Sequence, residues 1–232
     1  CWDIRDQGQI YLDLGNAMDR CNILAHRGLW GSKEEQNSRS AIKHALAGGF
    51  GIETDIRDHD GQVVLSHDVP LHDDGDLVSY SDLLEMLEDS DERSICALNV
   101  KSDGLLNIIQ DVPYGTKDTC RQLFYFDMSI PETVQYLRRS LRVFTRVSEF
   151  EAPVFPQSQI SGIWLDAFGD EFDQAREAFS LLDQGYIVSM VSPELHGRSH
   201  TAAWNDIIRW GLHLEPNFLI CTDYPFDAAK VF

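Results

Sequence analysis

A regular alternation of short apolar runs and amphipathic stretches limits the folds open to this chain. Runs such as CNILAH (21–26) and QLFYFDMS (122–129) alternate with helical patterns such as SRSAIKHALAGG (38–49). The other predicted helices are SYSDLLEMLEDS (79–90), DGLLNIIQDV (103–112), PETVQYLRRSL (131–141), DEFDQAREAFSLLDQG (170–185) and TAAWNDIIRWGL (201–212). Ser79 or Ser81 is the expected N-cap of the second helix. Alternating strands and helices predict a parallel sheet with crossover helices, and about eight such units predict an α/β fold of the closed TIM (β/α)8 barrel type. An open doubly wound sheet is the alternative, but the sequence contains no glycine-rich dinucleotide fingerprint to support it.

The pattern continues without a linker of low complexity, so we expect a single domain. Residues 21–232 would form the barrel. Residues 1–20 precede the first predicted strand, carry no motif, and are expected to be an N-terminal extension that packs on the barrel.

Charge and composition restrict the partners. The formal net charge is -19, from 38 acidic and 19 basic residues. This charge disfavours nucleic acid and anionic lipid surfaces, although it permits a small phosphate ligand in a locally basic pocket. No apolar run approaches the roughly 18 residues of a membrane span, so no transmembrane segment is expected.

The cysteines and the missing glycosylation sequon point weakly to one compartment. Cys21, Cys96 and Cys221 lie in apolar runs and are interpreted as buried side chains, more than as disulfide partners. The sequence has no N-x-[ST] sequon. Together these features favour a reducing, cytoplasmic location. The sequence does not indicate an oligomeric state.

Polar residues collect at the predicted C-terminal ends of the strands, where TIM barrels carry their chemistry. One such residue is usually a helix cap or a turn residue, but here almost every strand end carries one, which indicates a site. The candidates are His26, Arg27, Glu53, Asp55, His67, Asn99, Lys101, Asp127, Arg146, Asp166 and Glu194. Asp223 ends the last predicted strand.

The segment IETDI suggests a metal site. Glu53 and Asp55 are two residues apart on a predicted strand and therefore lie on one face, whereas Ile52 and Ile56 lie on the other. Two inward-facing carboxylates repel each other unless a cation lies between them. Because the ligands are oxygen atoms, the predicted cation is Mg²⁺ or Ca²⁺.

Two histidines flank this carboxylate pair in sequence. Each alone is compatible with a structural role, but as a pair at one barrel end, His26 and His67 suit general acid and general base catalysis. Arg27 and Lys101 would then hold a phosphate.

The remaining strand ends are candidates for substrate binding. Asp127, Asp166 and Glu194 either bind a polyol, sugar or cationic headgroup or form turns, and Arg146 is a further substrate-binding candidate. His196 follows the seventh barrel strand directly and is also of interest.

The ordered motifs AHRG, QNS, IETDI, a D-G turn, SHD and a closing CTDYP resemble the glycerophosphodiester phosphodiesterase family. That family belongs with the phosphatidylinositol-specific phospholipase C-like phosphodiesterases on a TIM barrel. The close match covers residues 21–68, with weaker agreement to about residue 101 and again at 218–225.

The resemblance implies roles for individual residues. His26 and His67 would be the acid–base pair, Glu53 and Asp55 metal ligands, and Arg27 and Lys101 phosphate ligands. The family's E-x-K is Asn99-Val100-Lys101 here, so Asn99 would ligate the metal through a neutral amide and the cation would be held more weakly. Gln36 replaces the family's glutamate, and strand 7 lacks its aromatic W-T pattern.

The expected function is metal-dependent cleavage of a small glycerophosphodiester-like substrate. Two alternatives stay open. One is a lyase or transferase of the same superfamily that releases a cyclic phosphate, similar to the sphingomyelinase D-like toxins. The other is a non-catalytic phosphate- or sugar-binding barrel, which the neutral Asn99 and the altered strand 7 motivate.

Overall fold

The computed structural model describes residues 18–71, 77–90, 94–112 and 123–232. Most of the predicted N-terminal extension, residues 1–17, therefore lies outside the described residues. Of its last residues, Met18 donates its backbone N–H to the carbonyl of Phe232 at 2.9 Å. The described chain thus begins in contact with its own C-terminal residue.

The strands form one sheet in which eight strands are parallel. Around the sheet these eight follow one another in sequence order, which confirms the TIM barrel. The strands are β1 (Ile23–His26), β2 (Gly51–His59), β3 (Gln62–Leu65), β4 (Cys96–Val100), β5 (Leu123–Phe126), β6 (Phe144–Val147), β7 (Gly162–Leu165), β8 (Val188–Val191) and β9 (Phe218–Thr222).

Two local features complete the sheet. Strand β3 pairs antiparallel with β2 through the predicted D-G turn, in which Asp60 and Gly61 both have positive φ, as a type I′ hairpin requires. Between β5 and β6, the backbone N–H of Tyr125 donates to the carbonyl of Arg142 at 3.0 Å, and a parallel bridge joins Tyr125 to Val143. This contact joins the two ends of the strand order into a ring.

Seven α-helices occur in the described residues. Six match predicted helices, and α7 was not predicted. They are α1 (Arg39–Ala47), α2 (Tyr80–Glu88), α3 (Leu106–Asp111), α4 (Ile130–Arg138), α5 (Gln174–Asp183), α6 (Thr201–Arg209) and α7 (Pro225–Val231). The link from β6 to β7 has no α-helix. It contains Pro153 and Pro156 and forms only the short 3-10 turn Gln157–Gln159.

Serine caps fix the start of three of these helices. Ser38, Ser79 and Ser129 each accept a hydrogen bond from a backbone N–H of the first turn. Ser79 is one of the two caps expected from the sequence.

The barrel interior changes from apolar to polar along several of the strands. Leu24, Ala97 and Phe144 belong to an apolar cluster inside the barrel, with Phe124, Phe126, Trp164 and Leu219. Residues two positions further along three of these strands are His26, Asn99 and Arg146. Since side chains two apart share a face, the same inward faces that fill the core end in polar groups at the C-terminal rim.

The cysteines of the apolar runs and the lengths of the helices bear on two expectations from composition. Cys96 and Cys221 are buried and Cys21 is half-buried. None of the helices in the described ranges is long and apolar enough to cross a membrane.

Candidate active site

A cavity of about 480 Å³ opens at the C-terminal rim of the barrel. Ten of the eleven predicted site residues line it, and the eleventh, Asp55, contacts two of those ten. The ten are His26, Arg27, Glu53, His67, Asn99, Lys101, Asp127, Arg146, Asp166 and Glu194. The fold therefore brings together residues spread over some 170 positions of the sequence.

His26 is held by a carboxylate from the last strand end. Its Nδ1 lies 2.6 Å from Oδ1 of Asp223. Because an ionised carboxylate only accepts hydrogen bonds, the His26 N–H is on Nδ1, and Nε2 is left to exchange a proton in the cavity. Nε2 lies 3.9 Å from Oε2 of Glu53, which is the register partner of His26 on β2.

His67 is more open to solvent. It follows β3, its side chain is 45% exposed, and its Nδ1 lies 2.9 Å from Oδ1 of Asp68. Arg57 donates to the His67 carbonyl at 2.9 Å, which ties this loop to β2. Among the described residues, Nε2 of His67 has no partner, and its carboxylate partner at Nδ1 is almost fully exposed.

Asp55 lies between two cations. Its Oδ2 is 2.8 Å from Nε of Arg27, and its Oδ1 is 3.2 Å from Nζ of Lys101. Asn37 donates to Oδ2 at 3.0 Å. Arg27 also donates to Oε1 of Gln36 at 3.0 Å. Gln36 and Asn37 of the QNS motif therefore orient Arg27 and the carboxylate that neutralises it.

The two buried carboxylates of β2 differ in charge. Burial, and then the negative charge of Asp55, raise the pKa of Glu53 to about 7. Burial also opposes ionisation of Asp55, but Lys101 and Arg27 prevail and lower its pKa below the ordinary value. Asp55 is therefore the ionised member of the pair, whereas Glu53 exchanges a proton near neutral pH.

Backbone conformations at the rim are unusual. Arg27 and Asp127 have φ of 58° and 71°, in the left-handed region that non-glycine residues seldom occupy. The next residue, Gly28, has φ of 85°, and a Cβ there would lie 2.6 Å from the backbone carbon of Ala41. This close approach holds Arg27 against the start of α1, and strain of this kind is common at functional sites.

The predicted metal ligands fit a cation in part. Oε2 of Glu53 and Oδ1 of Asn99 are buried oxygens that no donor in the described residues contacts by a hydrogen bond, the kind of atom that a hard cation satisfies. Both oxygens of Asp55, however, are engaged by Arg27 and Lys101. Within the described ranges, no three His, Cys, Asp or Glu side chains are grouped as a metal site.

The opposite wall of the cavity contains two further side-chain pairs. Arg146 donates from Nε to Oδ1 of Asp127 at 2.9 Å. His196 approaches Oδ1 of Asp166 with Nε2 at 2.7 Å. Both oxygens of Glu194 accept hydrogen bonds within the protein, among them one from the backbone N–H of Asp223 at 3.2 Å, so this carboxylate fixes the ends of β8 and β9.

Sequence reasoning gave no role to several lining residues. Asp223 is a polar strand end like the others, so the rule that found Asp166 also applies to it, but its bond to His26 spans 197 positions. Trp164 and Phe168 line the cavity and belong to the run SGIWLDAF (161–168), which the sequence predicts only as a strand. His196 followed a predicted strand directly, and that position was its signal.

The fold is shared with solved phosphodiesterase structures. A protein from Galdieria sulphuraria described as a glycerophosphodiester phosphodiesterase aligns with a TM-score of 0.65 at 16% identity, over 90% of this chain and 96% of the other. The glycerophosphodiester phosphodiesterase of Parabacteroides distasonis gives 0.64 at 14% identity, over 92% and 97%. A Ca²⁺-dependent phosphatidylinositol-specific phospholipase C from Streptomyces antibioticus gives 0.53 at 10% identity, over 93% and 96%.

Comparison of the sequence itself gave no such relatives: no protein-family model and no curated protein matches it. At these identities the structural likeness establishes the fold.

Proposed function

We propose that this chain is a phosphodiesterase and a divergent member of the glycerophosphodiester phosphodiesterase family. The observation that carries the proposal is the cavity at the barrel rim, which two histidines and the cations Arg27 and Lys101 line together. The shared fold of the phosphodiesterase structures supports it. The ordered motifs of the sequence point to the same chemistry.

The proposed reaction places a phosphodiester against Arg27 and Lys101, whose charges offset the charge that develops at phosphorus. One histidine removes a proton from an attacking water or neighbouring substrate hydroxyl, and the other protonates the leaving alkoxide. His26 is suited to either step because Asp223 holds its N–H on Nδ1. Neither role is assigned to a particular histidine.

Glu53 and Asn99 would hold a divalent cation, since each presents a buried oxygen that has no hydrogen-bond partner among the described residues. A bound cation would polarise a non-bridging oxygen of the phosphate. Asp55 would join them only by giving up its ion pairs with Arg27 and Lys101. We therefore expect activity to fall in excess chelator and to return with Mg²⁺ or Ca²⁺; full activity in chelator would exclude a metal requirement.

Phosphorus NMR tests the proposal directly. The protein is mixed with glycerophosphodiesters, lysophospholipids and sugar phosphodiesters, with and without Mg²⁺ or Ca²⁺. A phosphomonoester signal supports hydrolysis, and a persistent cyclic phosphate favours the lyase alternative. Phosphate or sugar binding without turnover of any compound favours the non-catalytic barrel and contradicts the proposal.

Substitution of the histidines tests the mechanism. We expect His26→Ala and His67→Ala each to lower turnover by about a hundredfold or more, because each removes an acid–base group. His44→Ala, on the exposed face of α1, is the matched control and should retain activity. Turnover that survives either cavity substitution would show that the acid–base pair is assigned wrongly.

A further inference from the structure

The cavity wall opposite His26 and Glu53 is formed by the ends of β5, β6 and β7 and by the turn after β8. In the ring order of the eight parallel strands, β6 lies across from β1, and β7 lies across from β2. We name this wall the far wall. Its lining residues are Asp127, Arg146, Trp164, Asp166, Phe168 and His196.

Arg146 takes the place that a cationic ligand would occupy on the far wall. Its Nε donates to Asp127 at 2.9 Å and lies 3.7 Å from Oε2 of Glu151. Its guanidinium carbon lies 5.6 Å from the ring centroid of Phe168. A site for an ammonium headgroup needs carboxylates and an aromatic face, and here the protein's own arginine already uses both.

The far wall still offers donors and acceptors. The described contacts of Arg146 use Nε and Nη2, and those of Asp127 use Oδ1. His196 uses Nε2 and Asp166 uses Oδ1. Four polar atoms of these side chains have no partner among the described residues. They are Nη1 of Arg146, Oδ2 of Asp127, Oδ2 of Asp166 and Nδ1 of His196. Closely spaced donors and acceptors of this kind match hydroxyl groups, which both donate and accept.

Aromatic surface adds to this polar set. Trp164 packs against Phe126 with ring centroids 3.9 Å apart and still reaches the cavity. Phe168 is 41% exposed and packs against His196 with centroids 5.1 Å apart. Apolar surface beside a few placed polar groups is typical of small-molecule sites, and a sugar ring presents both C–H and O–H groups to such a surface.

We infer that the far wall binds an uncharged hydroxyl-rich group of the substrate, a sugar or cyclic polyol, and that Arg146 excludes cationic headgroups such as choline. This inference rests on the proposed phosphodiesterase function, because it names the substrate class of the same cavity. Arg146 acts as a specificity-determining residue.

The test compares two substrates whose headgroups differ in charge: a glycerol–glucose phosphodiester and glycerophosphocholine. We expect the wild-type protein to favour the glucose diester by about tenfold or more in kcat/KM. Arg146→Gln should reduce this ratio, because it removes hydrogen bonds to hydroxyls and leaves Asp127 and Glu151 free to attract choline. Arg142→Gln removes a positive charge at the other end of the barrel interior and should leave the ratio unchanged.

Phe168→Ala provides a second variant, since the exposed ring is not required for the core. It should raise KM for the glucose diester more than it changes kcat. Equal or faster turnover of glycerophosphocholine by the wild-type protein would overturn the inference while leaving the phosphodiesterase function intact.

If the wild-type protein cleaves neither diester nor any other member of the NMR panel, the proposed function fails. Binding measurements alone then test which headgroup the far wall prefers. Calorimetry then compares glucose 6-phosphate with phosphocholine, using the same variants. Tighter binding of glucose 6-phosphate that Arg146→Gln weakens would support the inference. Equal affinity for the two phosphates would contradict it.

Discussion

Asp55 carries one negative charge between two cations in a position that is only 1% exposed. Arg27 and Lys101 are themselves mostly covered, with 18% and 22% of their side chains exposed. Replacing the Asp55 carboxylate by a neutral group would leave the Arg27 and Lys101 cations close together with little water to solvate them. Asp55 therefore contributes to stability as well as to the charge of the cavity.

We predict that Asp55→Asn lowers the free energy of unfolding by about 3 kcal/mol, because it leaves Arg27 and Lys101 uncompensated. Urea denaturation without divalent cations measures this change. Asp170→Asn is the control: Asp170 pairs with Arg198 at 3.0 Å but is 85% exposed, so its loss should cost less than about 1 kcal/mol. Similar effects of the two substitutions would exclude a structural role for the Asp55 network.

Asp223 acts on His26 and contacts none of the proposed reacting atoms, so we regard it as a positioning residue. We predict that Asp223→Asn lowers turnover by about a hundredfold, since an amide no longer fixes the imidazole proton on Nδ1. Nitrogen NMR of the His26 ring should show a change of tautomer, which a merely structural loss would not produce. Asp68→Asn, at the exposed partner of His67, should change turnover much less.

At the scale of elements, α2 shows how a local motif fixes both a helix end and a contact between helices. The side chain of Ser79 accepts from the backbone N–H of Asp82 at 3.1 Å, and Asp82 accepts in return from the backbone N–H of Ser79 at 3.1 Å. The other oxygen of Asp82 lies 2.8 Å from Arg39 at the start of α1. One carboxylate thus completes a capping box and joins two helices.

The pKa of Asp82 is lowered by its hydrogen bonds to Arg39 and Ser79. A carboxyl group whose pKa is lower in the folded state stabilises the protein above its ordinary value of 3.8, and this contribution is lost as the pH falls through the folded value. We predict that Asp82→Ala costs about 1 kcal/mol at neutral pH.

That difference should shrink when urea denaturation is repeated at a pH well below 3.8, as Asp82 of the wild-type protein takes up a proton. Asp89→Ala is the matched control at the other end of α2. It removes a negative charge beside the negative end of the helix dipole and should be neutral or slightly stabilising. A loss that stays constant with pH would contradict the assigned role of the Asp82 charge.

At the scale of the whole molecule, stacked aromatic rings fill the barrel where β5 meets β6. Phe124 and Phe144 stack with centroids 3.7 Å apart, and each is 1% exposed. The two strands share few backbone contacts, with one parallel bridge between Tyr125 and Val143. Side-chain packing inside the barrel therefore supports the closure of the ring.

We predict that Phe124→Ala lowers the free energy of unfolding by about 3 to 5 kcal/mol, because it opens a cavity that the surrounding strands cannot fill. Phe124→Leu should cost less. Phe150→Ala, at a ring that is 79% exposed, should change stability by about 0.5 kcal/mol or less. Denaturant unfolding of the three variants checks the order, and a small effect of Phe124→Ala would show that closure does not depend on this stack.

Much of this architecture could be predicted from the sequence because it depends on near neighbours in the chain. Alternation along β2 placed Glu53 and Asp55 on one face, and serine before a helical pattern placed the start of α2. The strand-end rule gave eleven candidate site residues, among them His26 and Arg27, and ten of the eleven line the cavity. Helix α7 escaped prediction because its seven residues show too little periodicity.

The sequence by itself thus determined the order of strands and helices, the inward faces and the set of polar strand ends. Only the tertiary structure decided which of these groups meet. Three contacts each join separate elements: the hydrogen bond between His26 and Asp223, the ion pairs of Asp55 with Arg27 and Lys101, and the packing of the Arg146 guanidinium over the Phe168 ring. Periodicity and capping act over a few residues, whereas these contacts exist only once the ring has closed and the strand ends share one rim.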